Sequence, residues 1–339
     1  MAAGMEMSLT HILPLLPGCH ANGTHAILVP GPTYPTIIDS IEVAGFRTVT
    51  YFLNEKDDNW ILDIADLSEA LEKSPHPVMS IFVQNPGYPT GHIHDIDELQ
   101  TIIRFAKKNR LIIFAIENFQ LDIYDPEEKP FVSMRKVLLE MGSEFESVQL
   151  LSFFSPNKSI IGEPGMSVTY IDTFRFDEEV FDTLIKLTHN PPVIQQIYLS
   201  MLLSHRPLID SPSFKEFHKE KEDIIKRIAR IAKLVTSFFN SQPYITCTKP
   251  HAGQTVFAKL EFPQSWTYIG PRSSASLEEF YCQQLRDATQ VPIIAGKFFS
   301  EFPGSSHFKF SFPLDEVKLL QKLDQFKTFH QKFIMTMVK

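Results

Sequence analysis

The sequence predicts an α/β fold: a mostly parallel, doubly wound sheet followed by a smaller α+β unit. Three observations predict it. Near-continuous apolar runs recur through the first half, helical periodicities separate them, and after Phe176 the texture changes to long helices and short alternating stretches. Continuous rather than alternating hydrophobicity marks strands buried on both faces. Strand, helix, strand, helix in sequence implies parallel pairing through helical crossovers.

In chain order, strands are expected over residues 25–29, 48–52, 78–83, 111–116, 148–154 and 166–171, each rich in branched and aromatic side chains. Residues 36–44 and 67–73 read as short helices. Residues 95–108 place Ile96, Leu99, Ile102, Ile103 and Ala106 on one face, with Asp95 as N-cap and Lys107 and Lys108 at the negative end of the dipole. Residues 213–240 carry Phe217, Lys221, Ile224, Ile228, Ile231, Val235 and Phe238 at spacings of three and four, a long amphipathic helix. Beyond it, residues 255–260, 292–295 and 307–312 read as strands, and 276–287 and 316–337 as helices. The change of texture puts a boundary near Pro212, giving a large α/β domain over residues 1–212 and a connecting helix with a small α+β domain over 213–339.

At 339 residues the chain is long enough for two domains. A formal net charge of −8, with no basic patch, argues against a nucleic-acid or anionic-membrane partner. Cys19, Cys247 and Cys282 show no paired spacing, so neither a zinc site nor a disulfide framework is expected, and a reducing, cytoplasmic setting is. The apolar patch at residues 12–16 follows Glu6, is broken by Pro14 and lacks the basic flank of a signal peptide.

The stretch from Leu150 to Tyr170 delivers one lysine, Lys158, from a buried strand into a loop. That is how a reactive amine can be held at the C-terminal edge of a parallel sheet, although a lone loop lysine is more often a surface charge. Its surroundings decide. Asn85-Pro86-Gly87-Tyr88-Pro89-Thr90-Gly91 follows one strand, Glu117-Asn118-Phe119-Gln120 ends the next, and Ser155-Pro156-Asn157-Lys158 follows a third. This ordered trio resembles the class I/II aminotransferases of the pyridoxal-phosphate fold-type I group, with the alanine aminotransferases the nearer likeness. The helix around residues 214–238 and the tail with His307-Phe308-Lys309-Phe310 resemble the same group, so the likeness covers nearly the whole chain.

The resemblance implies pyridoxal 5′-phosphate as cofactor, Lys158 as its Schiff-base lysine, Ser155 as a phosphate contact and Tyr34 as a ring-stacking aromatic. It equally implies what is changed. Ile116 stands where the family has the aspartate that pairs with the ring nitrogen, Tyr88 for the asparagine and Phe119 for the tyrosine at the phenolic oxygen. Ser167 stands for the phosphate-binding arginine, and Lys309 for the arginine that grips the substrate carboxylate. Glu6 falls in the helix-start loop used for phosphate, where a carboxylate opposes a dianion. Met1 falls after the family's N-terminal arm and the first part of its large domain, so those pieces are expected to be lost or left out of the sequence.

Two functions stay open. One is a catalytically inactive or strongly impaired protein kept as a scaffold or partner subunit, since the changes together remove on the order of 5 kcal/mol of cofactor affinity. The other is a working transaminase exchanging the amino group between L-alanine-type amino acids and a 2-oxo acid. In either case the resemblance implies a dimer, with a second copy or with a complete aminotransferase. No metal is expected.

Overall fold

A computed structural model describes residues 2–16, 24–160, 163, 165–187, 191–204, 211–263, 265–266 and 276–337. Cys19 lies outside them. Helix α1 (Met5–Ile12) is followed by β1 (Ala26–Gly31), α2 (Pro35–Val43), β2 (Arg47–Lys56), β3 (Asn59–Leu62), α3 (Ile64–Glu72), β4 (Val78–Gln84), α4 (Ile96–Asn109), β5 (Ile112–Ile116), α5 (Met134–Glu140), β6 (Leu150–Phe154) and β7 (Tyr170–Phe174). These strands form one seven-stranded sheet in the order β3-β2-β1-β4-β5-β6-β7. The five inner strands run parallel, and β3 and β7 close the two edges antiparallel.

The continuous apolar runs have a simple cause. Ile27 and Val29 pack on one face of the sheet while Leu28 packs on the other, and Ile81, Phe82 and Val83 alternate likewise. Both faces are covered, so neighbours on opposite sides must all be apolar. Phe82, Phe114 and Phe153, from three adjacent strands, stack at 4.7 and 5.9 Å between centroids beneath α1 and α2. Asp95 and Glu98 close a reciprocal capping box that starts α4.

Three expectations change. Residues 166–171 do not form an inner strand: Val168 and Thr169 are fully buried, Thr169 bridges to Ala2, and pairing begins only at Tyr170. The apolar content there is satisfied by packing, and β7 is a half-buried edge. The strand expected at 48–52 runs on to Lys56 and turns back as a hairpin, because Asp57 and Asp58 both take positive φ, 50° and 61°. The apolar stripe of residues 213–240 is buried only from Ile228 onward, and Phe217 is exposed.

Helices α6 (Glu178–Leu187), α7 (Val193–Ser204) and α8 (Pro212–Asn240) lead to a four-stranded antiparallel sheet of β8 (Ile245–Cys247), β9 (Thr255–Leu260), β10 (Ile293–Ala295) and β11 (His307–Ser311), in the order β10-β11-β9-β8. Helices α9 (Leu277–Thr289) and α10 (Glu316–Met337) pack on it with the second half of α8. Its core is aromatic: Phe239, Phe308, Phe310 and Phe326 are all fully buried. Among the described residues no helix is long and apolar enough to cross a membrane.

One imidazole joins the two sheets. His307 of β11 stacks on Phe257 at 4.7 Å, places Nδ1 2.5 Å from Glu301 and Nε2 3.3 Å from Glu55 of β2. Burial alone would lower its pKa, but the two carboxylates more than offset that and hold it above the ordinary value.

Candidate active site

The C-terminal ends of β1, β4, β5 and β6 lie side by side, and the loops leaving them carry Tyr34, Tyr88, Phe119 and Lys158 to one edge. There they surround a cavity of about 460 Å³ lined by Glu6, Tyr34, Tyr88, Ile116, Phe119, Lys158 and Ser167, among others. Seven of the nine residues singled out from the sequence thus line one space. Ser155 does not line it: its hydroxyl is fully buried and bonds Thr169 Oγ1 at 2.6 Å. Lys309 stands behind Tyr88, donating to its hydroxyl at 3.0 Å.

Lys158 leaves a single 3-10 turn, Pro156–Lys158, directly after β6. Its ammonium donates to Glu6 Oε1 at 2.7 Å and lies 4.8 Å over the Tyr34 ring. Glu6 is in the first turn of α1, where the helix dipole favours a negative charge. The lysine therefore already has an anion and an aromatic face.

Ile116 is 4% exposed and packs with Met5, Phe82, Phe114 and Phe153, a hydrocarbon floor. Glu117 does not substitute for an acid there. The strand alternation turns it to the other face, where its carboxylate accepts the Met134 N–H at 2.8 Å and caps the start of α5. Burial pushes its pKa up to about 7, and Glu278, buried and beside Glu301, rises to about 8. Between their unfolded values and these, the native state holds protons that the unfolded chain has released. Stability is therefore expected to fall as pH rises from about 4.5 to 8, with Glu117 contributing on the order of 3 kcal/mol. Urea midpoints measured on both sides of that window check it; a flat profile would contradict it.

Tyr88 fills the centre of the site. It packs edge-on to Tyr34 at 5.3 Å and face-to-face with Phe119 at 6.0 Å. Sequence reasoning missed the ties that fix these loops. Asn118 accepts the Ser155 N–H at 2.9 Å, joining the loops after β5 and β6, and Asp122 accepts the Ile160 N–H at 2.8 Å. It also missed a buried relay behind the Asn85–Gly91 loop. Thr90 Oγ1 meets His92 Nδ1 at 2.6 Å, His92 Nε2 meets His94 Nε2 at 3.3 Å, and His94 Nδ1 meets Glu98 at 3.2 Å. With Glu98 ionised, His94 Nδ1 carries the hydrogen that faces it. The signal was the spacing of two histidines before a helix cap.

The His92 ring lies against Gly87, where an added Cβ would sit 2.0 Å from His92 Cε1. Gly87→Ala is expected to destabilise the protein by about 1–3 kcal/mol by overpacking. A thermal melt compared with an alanine placed at Gly142, whose Cβ position is open, separates this clash from backbone strain.

Among the described residues Asp125, Glu128 and His251 alone bring three metal-type ligands together. Lys249 already bridges the two carboxylates at 2.8 and 2.7 Å, supplying their positive charge.

The family model described as Aminotransferase class I and II matches residues 7–324. Alanine aminotransferase 1 of Homo sapiens is 30% identical over 343 residues, which cover 99% of this chain and 68% of that protein. Alanine aminotransferase 2 of Xenopus laevis is 30% identical over 342 residues, covering 98% and 62%. The solved structure of an alanine aminotransferase from Pyrococcus furiosus superposes with a TM-score of 0.77 at 22% identity, over 98% of this chain and 75% of that one. The chain thus spans about two thirds of the length of the curated relatives it matches.

Proposed function

This chain belongs to the class I and II aminotransferases, a family whose cofactor is pyridoxal phosphate, and from that premise we propose that it is an inactive or strongly impaired member, alanine-aminotransferase-like in fold, acting as a scaffold or partner subunit. The observation that carries this reading is the Lys158–Glu6 pair: the amine meant for the cofactor aldehyde is engaged by a carboxylate of the same chain at 2.7 Å.

The rest of the cavity agrees. A protonated pyridine nitrogen above Ile116 would face hydrocarbon without a counter-ion, a cost of several kcal/mol. Tyr88 and Phe119 fill space with rings where the family has smaller or hydroxyl-bearing donors. A phosphate dianion would meet the Glu6 carboxylate and Ser167, with no guanidinium among the lining residues. The residues present do not fit the group.

Saturating pyridoxal phosphate is expected to give no borohydride-bleachable yellow species at Lys158, and alanine with 2-oxoglutarate is expected to give no pyruvate. A yellow protein that loses its colour in Lys158→Ala and turns over alanine would establish the second reading, a transaminase in which Lys158 forms the Schiff base. The cavity keeping Lys158 in its lining, over the Tyr34 ring, is what favours that alternative.

A partner role has its own support. Val180, Phe181 and Ile185 of α6 and Val193, Ile194 and Ile197 of α7 are 40–69% exposed, apolar surface of the kind that pairs with another chain. Sedimentation at micromolar concentration is expected to show a dimer, or a complex when a complete aminotransferase is present. A monomer in both cases would remove the partner role.

A further inference from the structure

Beside the cavity, two loops from the two sheets meet at a seam. Ile123, after β5, bridges to Ala252, before β9; the Tyr124 N–H donates to the His251 carbonyl at 3.2 Å and the Gly253 N–H to that of Asp122 at 3.3 Å. At this seam a ring nitrogen of His251 and carboxylate oxygens of Asp125 and Glu128 lie within 4.8 Å of one another. The same two segments carry Phe119 and Gly253, which wall a space of about 320 Å³ that shares Tyr88, Phe119 and Lys158 with the cavity.

Two neighbouring carboxylates mean little alone. The imidazole sets this cluster apart: His251 is 4% exposed, and its Nδ1 is buried without a hydrogen-bond partner. A buried ring nitrogen left unmatched is unfavourable whichever tautomer is present. Lys249 does not relieve it, because its ammonium contacts Asp125 and Glu128, at 2.8 and 2.7 Å, and balances only one of their two charges. One imidazole nitrogen with two carboxylate oxygens is a donor set for a borderline divalent ion, whereas calcium and magnesium take oxygen ligands. Bonds of about 2.1 Å put the corners of a zinc tetrahedron about 3.4 Å apart. The Asp125 and Glu128 side chains, 33% and 55% exposed, have room to close on an ion, and Lys249, 37% exposed, has room to swing out.

We propose that Asp125, Glu128 and His251 form a site for a zinc-type divalent cation, which displaces the Lys249 ammonium and clamps the loop after β5 to the loop before β9. Three protein ligands leave the fourth position to water. The ion is structural: it fixes Phe119 and Gly253, on opposite sides of the seam, without touching the cavity.

The test is calorimetric titration of the chelator-treated full chain with zinc chloride, which is expected to show one ion bound per chain. His251→Gln and Asp125→Asn are each expected to weaken binding about tenfold or more, and the Asp125 side chain is open enough to solvent for its variant to fold. Lys249→Met, which keeps the stem and removes the competing charge, is expected to tighten binding. Cobalt(II) in place of zinc is expected to give the visible absorption of a four-coordinate ion, lost in His251→Gln. Absence of stoichiometric zinc, or an affinity unchanged in either ligand variant, would overturn the site. An affinity no tighter in Lys249→Met would overturn the displacement of the lysine. None of these readouts involves Lys158 or pyridoxal phosphate, so they stand or fall apart from the reading above.

Discussion

Ile116→Asp is expected to destabilise the protein by about 3–5 kcal/mol, although it installs the residue type that the family resemblance assigns to this position. The carboxylate would replace a side chain that packs with Met5, Phe82, Phe114 and Phe153. Domain stabilities of roughly 5–15 kcal/mol leave little after such a loss. Urea denaturation checks it, run with and without pyridoxal phosphate. A variant as stable as its parent would contradict the expected cost, whereas stabilisation of the variant but not of the parent by pyridoxal phosphate would mark Ile116 as what keeps the cofactor out.

Phe239→Ala is expected to cost about 3–5 kcal/mol for a different reason. Phe239 is fully buried and meets Phe308, Phe310 and Phe326 edge-on at 5.2, 5.5 and 5.1 Å. Its removal loses apolar burial and three ring pairs, and the surrounding rings, anchored on a strand and a helix, cannot close the gap. Phe238, one residue earlier on α8, is only partly buried, and alanine there is expected to cost clearly less. Paired thermal melts of the two variants decide it; equal costs would mean that α8 is rotated by a residue from the packing described.

That pair also shows where the sequence was readable. The periodicity of α8 picked out Phe238, yet the core takes Phe239, because a helix stripe drifts across a long segment and the three-and-four spacing does not say which edge is innermost. The parallel order of strands was legible because both faces of the sheet are covered, which leaves a continuous apolar signature. The edge strands were not: β3 and β7 have one neighbour each, mix polar with apolar residues, and depend on a turn at Asp57-Asp58 and on burial of Val168 and Thr169. In the site, Lys158 could be placed from the strand that delivers it, and Tyr34 and Tyr88 from the family resemblance. The Lys158–Glu6 pair spans 152 positions, and the Lys309–Tyr88 bond 221, and no local pattern encodes either.

His307 has a mechanical consequence. Because its ring is clamped by Glu301 on one side and by Glu55, from the other sheet, on the opposite side, sliding one sheet over the other would part the ring from both carboxylates. The molecule should therefore behave as a riveted block, without the swing that opens and shuts a two-part enzyme around its substrate. Amide exchange along β11 is expected to proceed only through global unfolding, and His307→Gln to release it locally.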